Sequence, residues 1–152
     1  NEMDDFSAKP GVPNAYGLIG GEANKIEPGK RMLSSMSPTI VRKDGRNYLV
    51  TGSPGGSRII TTTLQVLMNV IDHNMNIQSA VSAPRMHHQW LPDEIRMEQG
   101  FSPDTIELLE GLGHKVSISR AMGAIQSVLI GEDGTLYGGA DPRRSTSAAM
   151  GY

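Results

Sequence analysis

Cysteine is absent from the 152 residues of this chain. Without cysteine there can be no disulfide bridge, no metal site built from thiolates and no cysteine nucleophile. The absence does not identify a cellular compartment, because exported proteins as well as cytosolic ones can lack disulfides.

The sequence also lacks an excess of either charge and a long apolar run. It has 14 basic and 16 acidic residues, so no electrostatic attraction to nucleic acid is indicated. No apolar run approaches the roughly 20 residues that cross a bilayer, and no segment has the basic start and apolar middle of a leader peptide. We therefore expect neither a nucleic-acid partner nor a membrane span in this chain; an internal piece of a longer protein would lack a leader in any case.

A glycine-rich turn, residues 51–58, lies between an apolar strand and an apolar helix. Its adjacent glycines, Gly55 and Gly56, let the backbone turn with no side chain in the way, so two successive N–H groups can point into a cleft at the start of a helix. Such donors suit an anion or a developing oxyanion. An ordinary strand-to-helix turn is the alternative, because glycine-rich turns are common.

Short β-rich runs predict two hairpins. The first joins residues 39–42 to residues 47–50 through an Asp-Gly turn, and the second joins residues 127–130 to residues 135–137 through another. Asp-Gly between such runs is a strong hairpin signal, because both residues tolerate the positive φ angles that a tight turn needs.

Three helices are predicted between the hairpins. Apolar residues at helical spacing give a helix of about four turns over residues 59–71. A short helix over residues 77–83 ends before Pro84. The third begins after Ser102, an N-cap residue followed by proline, and stops at Gly113.

Residues 8–33 are rich in glycine and proline, lack sustained periodicity and are interpreted as a long irregular loop. The order strand, strand, helices, strand, strand then suits an α+β fold with one sheet covered by a layer of helices. That arrangement is half of a four-layer sandwich.

Other notable side chains receive structural interpretations. For His87 and His88, packing or surface hydrogen bonding is favoured over metal binding, because the chain has no His-Glu-x-x-His spacing and no cysteine. Trp90 is expected to anchor the connecting loop from beneath. The methionines interpreted as adaptable filler of core and interface are Met36, Met68, Met75, Met86, Met97 and Met122.

Several long motifs, taken together and in order, resemble the small subunit of the gamma-glutamyltransferases, or glutathione hydrolases. They are residues 2–6, 34–39, 51–58, 83–90, 138–143 and 151–152. The resemblance implies an N-terminal nucleophile hydrolase with an αββα sandwich, made as a precursor that cuts itself into a large and a small subunit. The threonine that begins the small subunit would be the nucleophile.

The chain departs from this family pattern at its first residue. Asn1 carries an amide, which cannot serve as the required hydroxyl or thiol nucleophile. In the family, the acidic segment at residues 2–5 lies some strands after the threonine. We therefore expect residues 1–152 to form a single domain, the carboxy-terminal portion of the small subunit, lacking its first strands and the large subunit.

The resemblance assigns roles to six residues. Asp5 would bind the α-amino group of the γ-glutamyl moiety, with Glu2 beside it, and Asp4 is interpreted as structural. Ser34 and Ser35 would hold the α-carboxylate together with an arginine of the large subunit. The amides of the glycine pair, Gly55 and Gly56, would form the oxyanion hole. From composition alone, a solvated acidic run and loop serines that cap local backbone are the alternatives.

The implied reaction is γ-glutamyl acyl transfer and hydrolysis through a γ-glutamyl-enzyme ester. Glutathione and other γ-glutamyl compounds would be substrates, and an amino acid, a dipeptide or water would be the acceptor. In the family the nucleophile uses its own α-amino group as base, so no histidine is required. We also expect no cofactor and no metal. The large subunit of the same precursor would be the partner, in the periplasm or outside the cell.

Two alternatives stay open. The chain could be a non-catalytic fragment or partner-binding domain that turns nothing over. It could also belong to a related acylase, such as a cephalosporin acylase, which would be expected to lack the ammonium-binding Asp5. A threonine about forty residues upstream of Asn1, behind an autocleavage site, would favour the transferase.

Overall fold

Two antiparallel hairpins build the main sheet of the computed structural model, which describes residues 3–152. The first is β1 (Thr39–Lys43) with β2 (Arg46–Gly52), and the second is β6 (Gln126–Ile130) with β7 (Leu136–Ala140). The strand order is β1-β2-β6-β7, and each neighbouring pair is antiparallel. Both predicted hairpins are confirmed, although the last strand continues beyond the predicted end to Ala140.

Three α-helices lie between the hairpins in the sequence. They are α1 (Arg58–Ile71), α2 (Ile77–Ser82) and α3 (Pro103–Gly111), which confirms all three predictions. The side chain of Ser102 precedes α3 but makes no capping hydrogen bond. Gly113, with φ of 92°, ends this helix in a left-handed conformation that glycine adopts at little cost.

The core lies between one face of the main sheet and helices α1 and α2. Its buried members come from both layers: Leu49, Val66, Val70, Ile77, Ala80, Val81 and Ile125. Burying each of the larger aliphatic side chains contributes roughly 1.5–3 kcal/mol to folding. This packing joins β2 to α1, the two elements that the glycine turn connects.

The opposite face of the main sheet carries a row of exposed apolar side chains. Ile40 pairs with Val50, and Val50 pairs with Val128, so the three side chains form a row across β1, β2 and β6. Their exposed fractions are 63%, 39% and 37%, whereas Leu49, on the other face of β2, is 0% exposed. An open apolar face is what one sheet of a two-sheet sandwich would present.

A second, small sheet was not predicted from the sequence. It consists of β3 (Met86–His87), β4 (Ile95–Met97) and β5 (Val116–Ile118), with β4 antiparallel to β3 and parallel to β5. Strands of two or three residues are too short to show a period in the sequence. Long-range pairing, rather than local pattern, therefore defines them.

The segment before β1 is mostly irregular, as predicted for residues 8–33. It contains a 3-10 turn, Glu22–Asn24, and isolated bridges that join Ser7 to Lys25 and Pro13 to Ile19. A further 3-10 turn, Met3–Asp5, precedes it. Hydrogen bonds across the segment, rather than regular structure, therefore hold it together.

One of the structural interpretations is wrong, and another is confirmed in part. Trp90 is 75% exposed, so the prediction that it anchors a loop from beneath is wrong. Met97 and Met122 are buried, as expected for core filler, whereas Met36 is 65% exposed, and its role as interface filler stays a prediction. Within residues 3–152, no helix combines the length and the apolar character needed to cross a bilayer.

Candidate oxyanion turn and substrate site

The glycine pair lies at the start of α1 in a conformation that other residues rarely adopt. Gly55 has φ of 145° and Gly56 has φ of 58°. Their carbonyls accept hydrogen bonds from Arg58 N (3.2 Å) and Ile59 N (3.1 Å) in the first helical turn. Within residues 3–152, neither glycine amide donates to a protein acceptor. Two adjacent N–H groups at a helix start are thereby left available to an anion.

The ring of Tyr16 packs against this turn. A Cβ atom built on Gly56 would lie 2.5 Å from Cε1 of Tyr16, so only glycine leaves room for the ring. Gln89 ties the two segments together, because its Nε2 donates to Tyr16 O (3.1 Å) and its Oε1 accepts from Ser57 Oγ (3.1 Å). The irregular segment and the start of α1 thus meet at the glycines.

His87 belongs to this hydrogen-bond network. Its Nδ1 lies 2.8 Å from Thr61 Oγ1, and its Nε2 lies 2.8 Å from Gln89 Oε1. Because that amide oxygen can only accept, Nε2 carries the hydrogen. Burial lowers the pKa of His87 below its ordinary value, which favours the neutral ring.

His88 bonds instead to Asp93 at 3.1 Å. The hydrogen-bonding interpretation of both histidines is thus confirmed. Among residues 3–152, no group of three or more His, Cys, Asp and Glu side chains is arranged to hold a metal ion.

Two of the predicted substrate-binding residues touch each other. Ser35 Oγ donates to Asp5 Oδ1 at 3.2 Å, and Asn24 Nδ2 donates to the backbone oxygen of Asp5 at 2.6 Å. Ser34 is exposed, and its Oγ accepts from Met36 N at 3.2 Å. Glu2 lies outside the described residues. Between residues 3 and 152, no hydrogen bond joins Asp5 or either serine to the glycine pair.

A cluster of four charged residues, three of them buried, was missed by sequence reasoning. Arg85 is 2% exposed and bonds at 2.8 Å to Asp141, which is 0% exposed. Arg143 bonds to Asp141 at 3.2 Å and also to Glu98. The four residues lie far apart in sequence, so no local pattern marks them. The only signal is that three of them fall in motifs that carry the family resemblance.

Hydrogen bonds keep both carboxylates of this cluster ionised. Burial alone would raise the pKa of Glu98, but bonds from Arg143 and from the Met122 amide outweigh it, so the pKa lies below its ordinary value. Burial would likewise raise the pKa of Asp141; bonds from the Arg143 amide and from Arg85, together with the charge of Arg85, lower it overall.

Comparison with known proteins places these features in context. The family profile for gamma-glutamyltranspeptidase matches residues 1–151. The whole chain is 64% identical to the glutathione hydrolase proenzyme of Escherichia coli (strain K12) over 152 residues, and it spans 26% of that protein. The chain thus represents about a quarter of the length of this curated relative.

Solved structures agree with this match. The gamma-glutamyltranspeptidase T380A mutant of Helicobacter pylori superposes with a TM-score of 0.89 at 57% identity, covering 95% of this chain and 80% of that one. The cephalosporin acylase of Bacillus halodurans superposes less closely, with a TM-score of 0.75 at 29% identity, covering 85% of this chain and 25% of that one. The predicted α+β fold of the N-terminal nucleophile hydrolase type is confirmed, and the chain belongs to the gamma-glutamyltranspeptidase family.

Proposed function

We propose that this chain supplies oxyanion and substrate-binding groups to an enzyme that hydrolyses or transfers the γ-glutamyl group of glutathione and related compounds. The observation that carries the proposal is the glycine turn before α1. Gly55 and Gly56 both have positive φ, and within residues 3–152 their amides donate to no protein group. Such preorganised donors stabilise an oxyanion without reorganising during the reaction.

The proposed reaction has two steps. A threonine hydroxyl from another part of the polypeptide attacks the γ-carbonyl carbon, and the threonine's free α-amino group takes its proton. The carbonyl oxygen becomes an anion that accepts hydrogen bonds from the two glycine amides. The amide C–N bond then breaks, the leaving amine takes the proton, and a γ-glutamyl ester remains. One oxyanion donor is typically worth about 3–4 kcal/mol at such a transition state.

The second step repeats this geometry. Water, an amino acid or a dipeptide attacks the ester carbonyl, and a second tetrahedral anion forms at the same donors. The C–O bond to threonine then breaks, and the nucleophile recovers its hydrogen. The same glycine turn therefore acts in hydrolysis and in transfer.

The contact between Asp5 and Ser35 supports the proposed substrate-binding roles. The ammonium and carboxylate of a γ-glutamyl group sit on one carbon, so their binding groups must be neighbours. A carboxylate at 3.2 Å from a hydroxyl meets this requirement. Asp5, with Glu2, would bind the ammonium by charge-assisted hydrogen bonds, and Ser34 and Ser35 would bind the carboxylate.

We further propose that residues 1–152 are one domain, the carboxy-terminal portion of the small subunit, which assembles with the large subunit of the same precursor in the periplasm or outside the cell. The short span of this chain relative to a proenzyme supports this. So does the open apolar face formed by Ile40, Val50 and Val128, which a second sheet would cover.

The test uses the complete protein that contains this chain. We expect it to release amine from a chromogenic γ-glutamyl amide, and acid quenching during turnover should trap one γ-glutamyl group on the small subunit, detected by mass spectrometry. A glutaryl amide, which lacks the α-amino group, should be a much poorer substrate. Preference for the glutaryl amide would identify an acylase instead, and turnover of neither amide would support the non-catalytic alternative.

A further inference from the structure

Residues 122–125 form an irregular segment, with Gly123 at φ of 70°, that buried charges hold at both ends. Arg85 Nη1 donates to Met122 O at 2.7 Å, and a Glu98 carboxylate oxygen accepts from Met122 N. Asp141 Oδ2 accepts from Ile125 N at 2.7 Å. Hydrogen bonds between backbone and buried charged groups are strong and have fixed geometry. The position of this segment is therefore well defined.

The middle of the same segment contacts the residues that precede the glycine pair. Ala124 N donates to Ser53 Oγ at 3.0 Å. A Cβ on Gly123 would lie 2.7 Å from that Oγ, and a Cβ on Gly55 would lie 3.5 Å from the Cα of Gly123. The two backbones therefore approach each other closely, and the Ser53 hydroxyl is the polar link between them.

Ser53 is also hydrogen-bonded to the residue that precedes Gly55. Its Oγ donates to Pro54 O at 2.7 Å while it accepts from Ala124 N. The carbonyl of Pro54 and the N–H of Gly55 belong to one peptide group, which is planar and trans, so the two bonds point in opposite directions. Holding the carbonyl therefore sets the direction of the N–H.

We propose that Ser53 is a positioning residue for the oxyanion hole: its hydroxyl, fixed by Ala124, holds the Pro54 carbonyl and so aims the Gly55 amide. The inference rests on the proposed function, because it assumes that this amide meets an oxyanion. A hydrogen bond to the carbonyl also polarises its peptide group, which makes the Gly55 N–H a stronger donor.

Ser53→Ala in the complete enzyme tests this role. Both chemical steps pass through an oxyanion at the same amide, so the loss should appear in kcat whichever step is slower. For a chromogenic γ-glutamyl amide, kcat should fall about 10-fold. This loss is smaller than the 10²–10³-fold loss that is typical when an oxyanion donor is removed, because the Gly55 amide stays in place. KM should stay within about twofold, because ground-state binding is unaffected. Ser53→Thr, which keeps the hydroxyl, should restore most of kcat.

Ser119→Ala is the matched control. Ser119 is half-buried like Ser53, and its Oγ donates to the carbonyl of the following residue, Arg120, at 3.0 Å. The Ser119→Ala variant should leave kcat and KM unchanged. If Ser53→Ala does not mature, Ser53→Cys replaces the hydroxyl with a weaker donor, and its kcat should fall below that of Ser53→Thr.

The outcomes separate this inference from the proposed function. A complete wild-type protein without γ-glutamyl hydrolase activity would overturn the proposed function. An active wild type whose Ser53→Ala variant matches Ser119→Ala, or whose Ser53→Thr variant fails to recover kcat, would overturn the positioning role alone. A rise in KM that accounts for the whole loss of kcat/KM would also overturn it.

Discussion

The ring of Tyr16 occupies the space that a side chain at Gly56 would need, because a Cβ there would lie 2.5 Å from Cε1 of the ring. The two residues are distant in sequence, yet the contact brings the irregular segment directly onto the candidate oxyanion turn. Any substitution of Gly56 therefore changes two things together: the backbone conformation of the turn and its packing against Tyr16.

Gly56→Ala in the complete enzyme should lower kcat by about 10²-fold or more while KM changes little. Alanine at φ of 58° is disfavoured by about 1 kcal/mol, so the turn should rotate and the two amides should no longer both aim at the carbonyl oxygen. Steady-state kinetics with a γ-glutamyl amide measure this. Gly134→Ala is the control, since Gly134 has φ of 85° and open space around its Cβ position.

A second variant separates conformation from packing. Tyr16→Ala removes the ring, and combining it with Gly56→Ala leaves the methyl group without a clash. We expect the double variant to keep the low kcat. Recovery to the kcat of Tyr16→Ala alone would show that the ring contact, rather than the aim of the amides, caused the loss.

Asp5→Ala should lower kcat/KM for γ-glutamyl substrates about 10- to 100-fold, because a hydrogen bond to a charged group is worth about 1.5–3 kcal/mol. The loss should be much smaller with glutaryl analogues, which have no ammonium group for Asp5 to bind. Asp44→Ala, at an exposed hairpin turn, is the control and should affect neither substrate. Equal losses for both substrates would make Asp5 structural.

Asp141→Asn should destabilise the protein by about 3–5 kcal/mol at neutral pH, since it leaves the guanidinium of Arg85, 2% exposed, without its carboxylate. Chemical denaturation of the complete protein measures this. Asp133→Asn is the matched control, because the Asp133 carboxylate also accepts hydrogen bonds, from Thr135, but is exposed. If Asp141→Asn lowers the free energy of unfolding no more than Asp133→Asn does, the buried pair of Arg85 and Asp141 does not stabilise the protein as expected.

The same pair predicts a pH dependence of stability. The pKa of Asp141 is lowered in the folded state, so its contribution is fully present above the unfolded value of about 3.9 and is lost as the pH falls through the folded pKa. The stability difference between wild type and Asp141→Asn should therefore be largest above about pH 5 and should shrink below about pH 4. A constant difference across this range would show that the charge is not responsible.

Val50→Asp should weaken association of residues 1–152 with the remainder of the precursor, because it places a charge in the centre of the open sheet face. Leu108→Asp is the control, since Leu108 is also exposed, at 71%, but lies on α3. Co-purification of the separately expressed pieces measures the effect. Equal association of both variants would mean that this face of the sheet is not the interface.

The elements that sequence analysis predicted correctly are those with local signals. The 58–71 helix shows an apolar stripe at helical spacing. Asp44 and Gly45 have φ of 50° and 77°, the positive values that a tight hairpin turn requires. Strand β4 could not be predicted, since Ile95–Met97 has three residues and exists through pairing with partners on two sides. Trp90 was misassigned because burial depends on tertiary neighbours that its own segment does not reveal.

The residues of the candidate site also differ in whether a local sequence signal marks them. Gly55 and Gly56 stand out because adjacent glycines between a strand and a helix have a local physical meaning. Ser53 does not stand out, because its role depends on Ala124, which is distant in sequence but bonded at 3.0 Å. Arg85 and Asp141 are likewise joined only by the fold. A residue that acts through long-range contacts can be recognised only from the three-dimensional structure.

The irregular character of the segment before β1 affects how such a protein can diverge. Asp5 lies in a 3-10 turn and Ser34 and Ser35 lie in the irregular segment, all outside the main hydrophobic core, whereas the glycine turn leads directly into α1, which packs in that core. Substitutions in surface loops usually cost little stability, so under the proposed substrate-binding roles natural selection could alter which acyl group is recognised without risking the fold. Selection on the turn would be far more restricted, because under the proposed role changes there affect the rate for every substrate. New specificities on this scaffold should therefore arise first through replacements in the loops.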